Sequence, residues 1–370
     1  MKKNIAIIAS VLHPIRQRHL INWYQELAKE PLLTKLFVGS KKKNIPFATN
    51  YKVNTKKEKL IYVIYNILKL NKTPKALIKL LPLVAYKPKV IHLLTSNTFS
   101  NIEPLLAQEK IKLIVSFRGY DINVFPHASQ KNKQQTQAIF NKADVLHFVS
   151  EDLKNKAIKL HADATKCVVI NRSIDIQNMN GFIKQKPENK KPIILTVGRM
   201  VWEKGYVYAL ETMFVLKQKG IAFEYHIAGD GVDKAMLEFH VKRLELEEVV
   251  VFKGELSHNA VKQTMVNADI YFQPSIIEGI PNSIFEAAYF KLPIVASQVG
   301  GIPEVITHEL TGLLSPSCQP VSFAKNLLTL LENKALRTKM GANAQQHIID
   351  NFTRKKEIEK WLDVYRKLMH

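Results

Sequence analysis

Short apolar runs and longer segments of helical periodicity alternate along this chain, in the same order in each half. Continuous apolar runs are typical of strands that are buried on both faces of a parallel sheet. The predicted strands are residues 5–11, 36–38, 90–94, 112–117, 143–149, 166–170, 192–197, 223–228, 249–252, 269–272, 292–296 and 312–314. Because parallel strands need a helical crossover between them, the pattern predicts an α/β fold with two doubly wound Rossmann-like domains facing a cleft.

A polar segment, residues 177–191, separates the two halves. It contains four lysines and one proline and shows no apolar period, which is typical of a linker. We therefore expect a first domain over residues 1–180, a second domain over residues 190–350, and a final amphipathic helix over residues 353–370.

The loop after the predicted strand 269–272 places two carboxylates at one edge of the second sheet. Glu278 lies in the loop itself. Pro281 and Asn282 are residues that begin helices, so Glu286 lies about one turn into the next helix. Ligands bind at this edge of an open parallel sheet. Carboxylates only accept hydrogen bonds and suit hydroxyl groups, while helix-start N–H groups suit a phosphate. The alternative is a surface loop with two solvated glutamates.

A second loop at the same edge follows the predicted strand 192–197. Its Gly198 lets a backbone approach a phosphate closely. Arg199 offers a planar fork of donors and Lys204 a point charge, which together suit a diphosphate. The alternative is a basic connecting loop without a ligand.

The turn Gly229-Asp230-Gly231 follows the predicted strand 223–228. It is not a dinucleotide fingerprint, because the third glycine and the acidic residue that would bind ribose are missing. We expect a tight turn from strand to helix beside the ligand.

These motifs resemble the donor-binding signature of retaining glycosyltransferases of family 4, which use the two-Rossmann-domain GT-B fold. In that family two glutamates lie eight positions apart, with a glycine after the first, as Glu278 and Glu286 do here. The Gly-Arg-x4-Lys-Gly pattern of residues 198–205 and the Gly-Gly-Ile-Pro-Glu of residues 300–304 also fit. The resemblance implies a nucleotide-sugar donor and neither metal nor cofactor, because Arg199 and Lys204 would neutralise the diphosphate.

The resemblance implies a role for each matching residue. Glu286 would hold the ribose hydroxyls and Glu278 the hydroxyls of the donor sugar. The final helix would cross back onto the first domain. The expected catalytic set is Glu278, Arg199, Lys204 and Arg118, and the other expected donor-binding residues are Glu286, Gly198, Gly229, Gly231, Gly279, Ile280, Pro281 and Asn282.

The first half departs from the family pattern at three places. Arg118 stands where the family commonly has a histidine, and because arginine cannot act as a base it would bind charge. Asp121 would cap the turn or meet the acceptor. Arg16 or Arg18 would replace a glycine-rich loop on the acceptor side, and Arg172 replaces a glycine in an Asn-Gly pair.

The formal net charge of +22 is concentrated in the first half. Residues 1–190 contain 33 lysines and arginines and 12 acidic residues, a balance of +21, whereas the remainder contains 21 and 20, a balance of +1. Such a basic half indicates an anionic partner, and the alternative is a solvated lysine-rich surface. A nucleic-acid binder would need a binding motif, which is missing.

Residues 56–89 are the candidate for membrane contact. They contain two apolar helical patterns with tyrosines among the apolar residues and lysines at the flanks, which is typical of a helix at a membrane interface. The alternative is two core helices with solvated lysines. The lysines concerned are Lys69, Lys72, Lys75, Lys79, Lys87 and Lys89.

The sequence also indicates the cellular compartment in which the protein works. No apolar run is long enough to span a membrane, and Cys167 and Cys318 lack metal-ligand spacing, which favours a reducing compartment. We expect a cytoplasmic enzyme on the inner face of the cytoplasmic membrane. It would transfer a sugar to a saccharide or lipid-linked acceptor in bacterial cell-surface polysaccharide synthesis. The alternative enzyme on this fold is a sugar-nucleotide epimerase or a phosphorylase.

Overall fold

The computed structural model describes residues 4–11, 18–40, 47–50, 77, 80–107, 110–179, 181–182 and 188–369. Two parallel sheets, each flanked by helices, form the two compact units of the chain. The first unit comprises Met1–Val149, Leu153–Ile170 and Ile358–His370, and the second comprises Ser150–Asp152 and Asn171–Glu357. The prediction of two doubly wound α/β domains is confirmed.

The sheet of the first unit has seven described strands in the order β3-β2-β1-β4-β5-β6-β7, and every neighbouring pair is parallel. The order reverses direction beside β1, as a doubly wound sheet requires. The strands are β1 (Asn4–Val11), β2 (Leu33–Ser40), β3 (Thr49–Asn50), β4 (Val90–Leu93), β5 (Lys112–Phe117), β6 (Val145–Phe148) and β7 (Cys167–Val169).

Helices cover both faces of this sheet, and two separate apolar cores lie beneath them. In β1, Ile5 to Ile8 are completely buried, which explains why the strand reads as a continuous apolar run. The described helices before β7 are α1 (Arg18–Leu27), α2 (Leu81–Tyr86), α3 (Phe99–Leu106), α4 (Tyr120–Asn123), α5 (Gln130–Lys142) and α6 (Glu151–Lys159).

The sheet of the second unit has six strands in the order β10-β9-β8-β11-β12-β13, again all parallel. Its strands are β8 (Ile193–Val197), β9 (Glu224–Ala228), β10 (Val250–Gly254), β11 (Ile270–Gln273), β12 (Ile294–Ser297) and β13 (Gly312–Ser315). Its helices are α7 (Tyr206–Gln218), α8 (Lys234–Arg243), α9 (His258–Asn267), α10 (Asn282–Tyr289), α11 (Ile302–Val305), α12 (Pro320–Glu332) and α13 (Lys334–Asn351).

The last helix, α14 (Arg354–Met369), begins in the second unit and continues in the first. Its buried residues Ile358, Trp361, Leu362 and Tyr365 recur at helical spacing and form one apolar stripe. They pack into the same core as Trp23 of α1, so the C-terminal helix completes one face of the first sheet.

No helix of the described residues combines the length and the apolar character needed to cross a membrane. Most of the predicted membrane-contact stretch, including Lys69, Lys72, Lys75 and Lys79, lies outside the described residues. The interfacial helices therefore stay a prediction.

Candidate functional site

Loops after four strands of the second sheet pack tightly at the carboxyl edge. A Cβ on Gly229 would lie 1.9 Å from the carbonyl oxygen of Gly198, and one on Gly300 would lie 2.2 Å from that of Glu278. Both glycines also have positive φ angles, 149° and 57°. Only glycine fits such positions, so Gly229 brings the loop after β9 against the loop after β8, and Gly300 brings the loop after β12 against the loop after β11.

Gly205 fixes the start of α7 against the glutamate loop. It has a φ of 68°, and a Cβ there would lie 2.0 Å from the carbonyl oxygen of Pro274. The backbone N–H of Ile276 donates to the carbonyl oxygen of Glu203 at 2.8 Å. The loop that carries Lys204 is therefore held beside the loop that carries Glu278.

Lys204 and Glu278 form an ion pair at this junction. Their side chains are only 18% and 9% exposed, so water screens the pair weakly. The Ser275 hydroxyl also donates to Glu278 Oε1 at 3.1 Å. The structure thus brings together two residues to which the sequence gives separate roles.

A buried polar chain supports Glu278 from the interior of the sheet. Gln273 Nε2 donates to the Ser275 hydroxyl at 2.7 Å, and the Tyr271 hydroxyl lies 2.7 Å from Gln273 Oε1. Burial raises the pKa of Tyr271 well above its usual range, so this group stays a neutral donor. The sequence gives no sign of these hydrogen bonds, because Tyr271 and Gln273 read as ordinary strand residues.

Glu286 lies in α10 and is half-buried. Burial raises the pKa of its carboxyl group to about 7, while the positive charge of Lys262 acts in the opposite direction. Among the described residues, the Glu286 carboxylate makes no hydrogen bond or ion pair. It can therefore accept hydrogen bonds from the hydroxyl groups of a ligand.

Arg199 is the exposed cation of the site. It lies directly after Gly198, and its guanidinium group has neither a hydrogen bond nor an ion pair within the described part of the chain. Its five donors are therefore available to an anionic ligand.

The remaining residues of the predicted donor set have mainly structural contacts. Ile280 and Pro281 are buried, and the Gly279 carbonyl oxygen accepts from the N–H of Gly301 at 2.7 Å. Asn282 Oδ1 accepts from Arg172 Nη1 at 3.0 Å. Arg172, which replaces the family's glycine, thus steadies the start of α10. Gly231 lies against Met200 in the turn after β9.

Glu304 is a further residue that sequence reasoning did not assign. Its two carboxylate oxygens accept from the Asp152 N–H at 3.2 Å and from Asn171 Nδ2 at 3.1 Å. It ties Asp152 and Asn171, which belong to the same unit, to the Gly-Gly loop after β12. Its position in the Gly-Gly-Ile-Pro-Glu motif was the available signal.

The acceptor-side candidates belong to the first unit. Asp121 Oδ1 accepts from the N–H groups of Arg118 and Gly119 at 2.9 and 3.0 Å, which is a capping contact, and burial raises the pKa of its carboxyl group. Arg118 Nε donates to the carbonyl oxygen of Leu94 at 2.8 Å. Arg18 is the exposed first residue of α1, and Arg16 lies outside the described residues.

Within the described ranges, the side chains of His, Cys, Asp and Glu form no group of three or more that could hold a metal ion. The expectation of metal-independent chemistry is a separate matter and stays a prediction.

The second half of the chain resembles a known protein family. Residues 180–347 match the model described as "Glycosyl transferases group 1". The amylovoran biosynthesis glycosyltransferase AmsK of Erwinia amylovora is 31% identical over 252 residues, covering 64% of this chain and 61% of the relative. The putative colanic acid biosynthesis glycosyltransferase WcaL of Escherichia coli is 28% identical over 225 residues, covering 58% and 54%. The matched parts thus span little more than half of these relatives.

Solved structures resemble the whole chain. A glycosyltransferase from Rickettsia africae superposes with a TM-score of 0.78 at 19% identity, covering 100% of this chain and 99% of that one. Anabaena Alr3699/HepE, solved in complex with UDP-glucose, gives a TM-score of 0.78 at 16% identity over 98% and 99%. Residues 180–347 therefore resemble a glycosyltransferase group 1 domain, and the chain has the GT-B fold.

Proposed function

We propose that the chain is a retaining glycosyltransferase of the family 4 kind, which moves a sugar from a nucleotide-sugar donor to a saccharide or lipid-linked acceptor. The observation that carries the proposal is the ion pair of Lys204 and Glu278 at the carboxyl edge of the second sheet. Arg199 lies in the same loop as Lys204, and Glu286 lies in the helix that follows Glu278. The relatives named for amylovoran and colanic acid biosynthesis support bacterial surface polysaccharide synthesis as its setting.

In the proposed complex, each part of the nucleotide-sugar donor contacts a different residue of these loops. Glu286 accepts from the ribose hydroxyls, and the exposed guanidinium group of Arg199 binds the diphosphate. Lys204 leaves Glu278 for a phosphate oxygen when the donor enters. Glu278, still held by Ser275, is then available to the hydroxyls of the donor sugar.

The proposed transfer needs no protein nucleophile. The bond between the anomeric carbon and the diphosphate oxygen breaks, and the acceptor oxygen forms its bond on the same face. The proton of the acceptor hydroxyl passes to the departing diphosphate. Arg199 and Lys204 stabilise the negative charge that develops there, which is the term that contributes most in such sites, and a metal ion is not required.

We further propose that the first unit binds the anionic inner face of the cytoplasmic membrane, where a lipid-linked acceptor would be found. The support is the balance of +21 over residues 1–190 against +1 over the remainder.

A panel of nucleotide sugars tests the function in two stages. A donor that binds the folded chain raises its melting temperature, and the donors that do so are then incubated with candidate acceptors in the presence of a metal chelator. We expect a glycoside with the anomeric configuration of the donor. The coupling constant of its anomeric proton, measured by NMR, reports this configuration. An inverted product would refute retention. Epimerised donor, or cleavage that requires inorganic phosphate, would establish the alternative enzyme classes.

A further inference from the structure

Gln273, the last residue of β11, places a buried amide at the start of the loop that carries Glu278. Only 1% of the surface of Gln273 is exposed. Its Oε1 lies 2.7 Å from the Tyr271 hydroxyl and 3.3 Å from the Ser283 hydroxyl, and its Nε2 lies 2.7 Å from the Ser275 hydroxyl. Burying an amide is unfavourable unless it is hydrogen-bonded, and this amide is bonded at both ends. Its neighbours therefore determine which way the amide points.

The direction of these hydrogen bonds follows from Glu278 at the end of the chain. A carboxylate only accepts, so the single hydroxyl proton of Ser275 points to Glu278 Oε1, 3.1 Å away. Ser275 then accepts from Gln273 Nε2, which leaves Gln273 Oε1 facing Tyr271. The 2.7 Å contact with Tyr271 agrees with this direction, because it has the usual length of a hydrogen bond between two oxygens. With the amide reversed, Ser275 would donate to Gln273 and would have no proton left for Glu278.

The Ser275 proton acts on the same oxygen as the ion pair. Lys204 Nζ and the Ser275 hydroxyl both donate to Oε1 of Glu278. In the proposed complex Lys204 moves to a phosphate oxygen, so Ser275 stays behind as a donor that holds this oxygen. Gln273 keeps the proton there, because its own N–H occupies the acceptor side of Ser275. The orientation of the carboxylate therefore depends on a residue two links away.

We infer that Gln273 and Ser275 are positioning residues for the sugar part of the donor. The amide of Gln273 directs the Ser275 proton to Glu278, and Ser275 holds the carboxylate in the orientation that accepts from the sugar hydroxyls. The inference rests on the proposed function, in which Glu278 binds the sugar while Arg199 and Glu286 bind the nucleotide. The alternative is a polar cluster that only stabilises the sheet, and its loss would affect nucleotide and nucleotide sugar alike.

The first test compares nucleotide sugars with their own nucleoside diphosphates by calorimetry. The probes are UDP-glucose, UDP-galactose, UDP-N-acetylglucosamine and GDP-mannose, each measured against UDP or GDP. In Gln273→Met and in Ser275→Ala, the nucleotide sugars that the wild type binds should bind roughly tenfold more weakly, as for loss of a hydrogen bond to a charged group. The nucleoside diphosphate should keep its affinity within about twofold.

A control and a double variant separate positioning from stability. Tyr225→Phe removes another buried hydroxyl of the same sheet, which donates to Thr196 Oγ1 at 2.9 Å, and should leave all affinities within about twofold. Combining Gln273→Met with Ser275→Ala should cost no more than Ser275→Ala alone, because Gln273 acts through Ser275.

Three results would overturn the inference. They are an unchanged affinity for nucleotide sugar in both single variants, an equal loss for nucleotide and nucleotide sugar, and losses that add in full in the double variant. If Gln273→Met does not fold, Tyr271→Phe takes its place, since it removes a donor to the same amide. It should weaken nucleotide sugar selectively by a smaller factor, and an unselective loss would count against the inference.

The second test observes the Gln273 amide in the ligand-free chain. Glutamine side chains are labelled with nitrogen-15, and the Gln273 signal is the one missing from Gln273→Met. We expect this signal to shift in Ser275→Ala, which removes the acceptor of Nε2, and in Glu278→Gln, which changes the acceptor of Ser275. It should shift less in Glu286→Gln, which removes a carboxylate outside these hydrogen bonds. Equal shifts in the two glutamate variants would contradict a chain directed at Glu278.

The two levels of the hypothesis fail separately. If the wild type binds none of the nucleotides and nucleotide sugars, the proposed function fails. The nitrogen-15 signals still decide whether Gln273 and Ser275 form a directed chain to Glu278.

Discussion

Arg199 and Lys204 carry the same charge in one loop, but their surroundings differ. Arg199 is exposed and makes no hydrogen bond or ion pair with any described residue, whereas Lys204 is largely buried against Glu278. Both should therefore matter for turnover, and only Lys204 should also matter for folding.

We expect Arg199→Ala and Lys204→Ala each to reduce kcat/KM by an amount equivalent to about 2 to 4 kcal/mol, as for loss of a donor to a developing anion. Arg199→Ala should leave the free energy of unfolding within about 0.5 kcal/mol of the wild type, as is usual at surface positions. Lys204→Ala should lower it by more than this, because the partly buried Glu278 loses a partner. Steady-state kinetics and urea denaturation check the two parts, and turnover within about threefold of the wild type in both variants would contradict the assignment.

Glu286 gives a prediction that couples stability to pH. The folded chain holds the proton more tightly than the unfolded chain, because the pKa of Glu286 is raised from its ordinary 4.5 to about 7. Ionised Glu286 therefore lowers the free energy of unfolding progressively between these values, and the whole loss is present above about pH 7.

We expect Glu286→Gln to stabilise the ligand-free chain at about pH 8 by roughly 1 to 3 kcal/mol, and to have little effect at about pH 4.5. The same variant should bind nucleoside diphosphate more weakly, so the residue sacrifices stability for binding. Urea denaturation at the two pH values measures the effect. An equal change at both values would mean that the carboxyl charge is not responsible.

The sequence predicts which side chains belong to the site better than it predicts which of them contact each other. Glu278, Glu286 and Arg199 follow from strand ends and helix starts, since the carboxyl ends of parallel strands share one edge. The contact between Lys204 and Glu278 joins residues 74 positions apart and depends on the close packing that Gly205 permits.

At the scale of elements, a buried hydrogen-bond chain joins the last helix to the first sheet. The carbonyl oxygen of Ile170 only accepts, so His147 Nε2 donates to it at 3.0 Å. In the tautomer with its proton on Nε2, His147 accepts at Nδ1 from the Ser116 hydroxyl at 2.7 Å. Ser116 accepts from His92 Nε2 at 2.8 Å, and His92 Nδ1 accepts from the Tyr365 hydroxyl at 2.7 Å. The tautomers follow from this network.

We expect Tyr365→Phe to lower the free energy of unfolding by about 1 to 3 kcal/mol, because His92 Nδ1 loses its donor in a buried place. Tyr120→Phe is the matched control, since Tyr120 is 62% exposed and should have an effect within about 0.5 kcal/mol. Denaturant titration measures both. Equal effects of the two variants would mean that the hydrogen bond from Tyr365 to His92 contributes nothing to the attachment of α14.

The buried hydrogen bonds of His92 also predict that the protein loses stability in acid. Burial, followed by His147 and Arg118, lowers the pKa of His92 well below its ordinary 6.5, so the unfolded chain binds the proton first. The contribution of neutral His92 is complete above about pH 6.5 and decreases as the pH falls below it. The wild type should therefore exceed His92→Asn in stability by more at about pH 8 than at about pH 5.5. A difference that grows in acid would refute this account.

The elements themselves were mostly predictable, because each strand buried on both faces reads as a continuous apolar run. The predicted strand 112–117 coincides with β5, and most other bounds differ by one to three residues at an end. β3 was missed, because it is a two-residue edge strand, Thr49–Asn50, without an apolar run. The histidine chain was missed as well, because its members are single polar residues in three separate strands and a distant helix.

At the scale of the whole molecule, charge is distributed unevenly along the chain. Residues 1–190 have a balance of +21 and the remainder +1. An enzyme that acts only on free sugars would gain nothing from this asymmetry, whereas each lysine near an anionic membrane contributes about 1 kcal/mol. A few such lysines are sufficient for reversible binding.

We therefore expect the chain to float with vesicles that contain anionic lipid at low salt, and to be released as salt rises, because salt screens charges over about 10 Å. Neutral vesicles should not bind it. Changing Lys69, Lys72, Lys75 and Lys79 to Gln should weaken the binding. The matched control changes four exposed lysines of the second unit, Lys242, Lys325, Lys334 and Lys339, and should leave it unchanged. Equal losses in the two variants would mean that total charge, and not residues 56–89, governs attachment. No flotation with anionic vesicles at low salt would rule out the membrane, and the basic half would then require a different anionic partner.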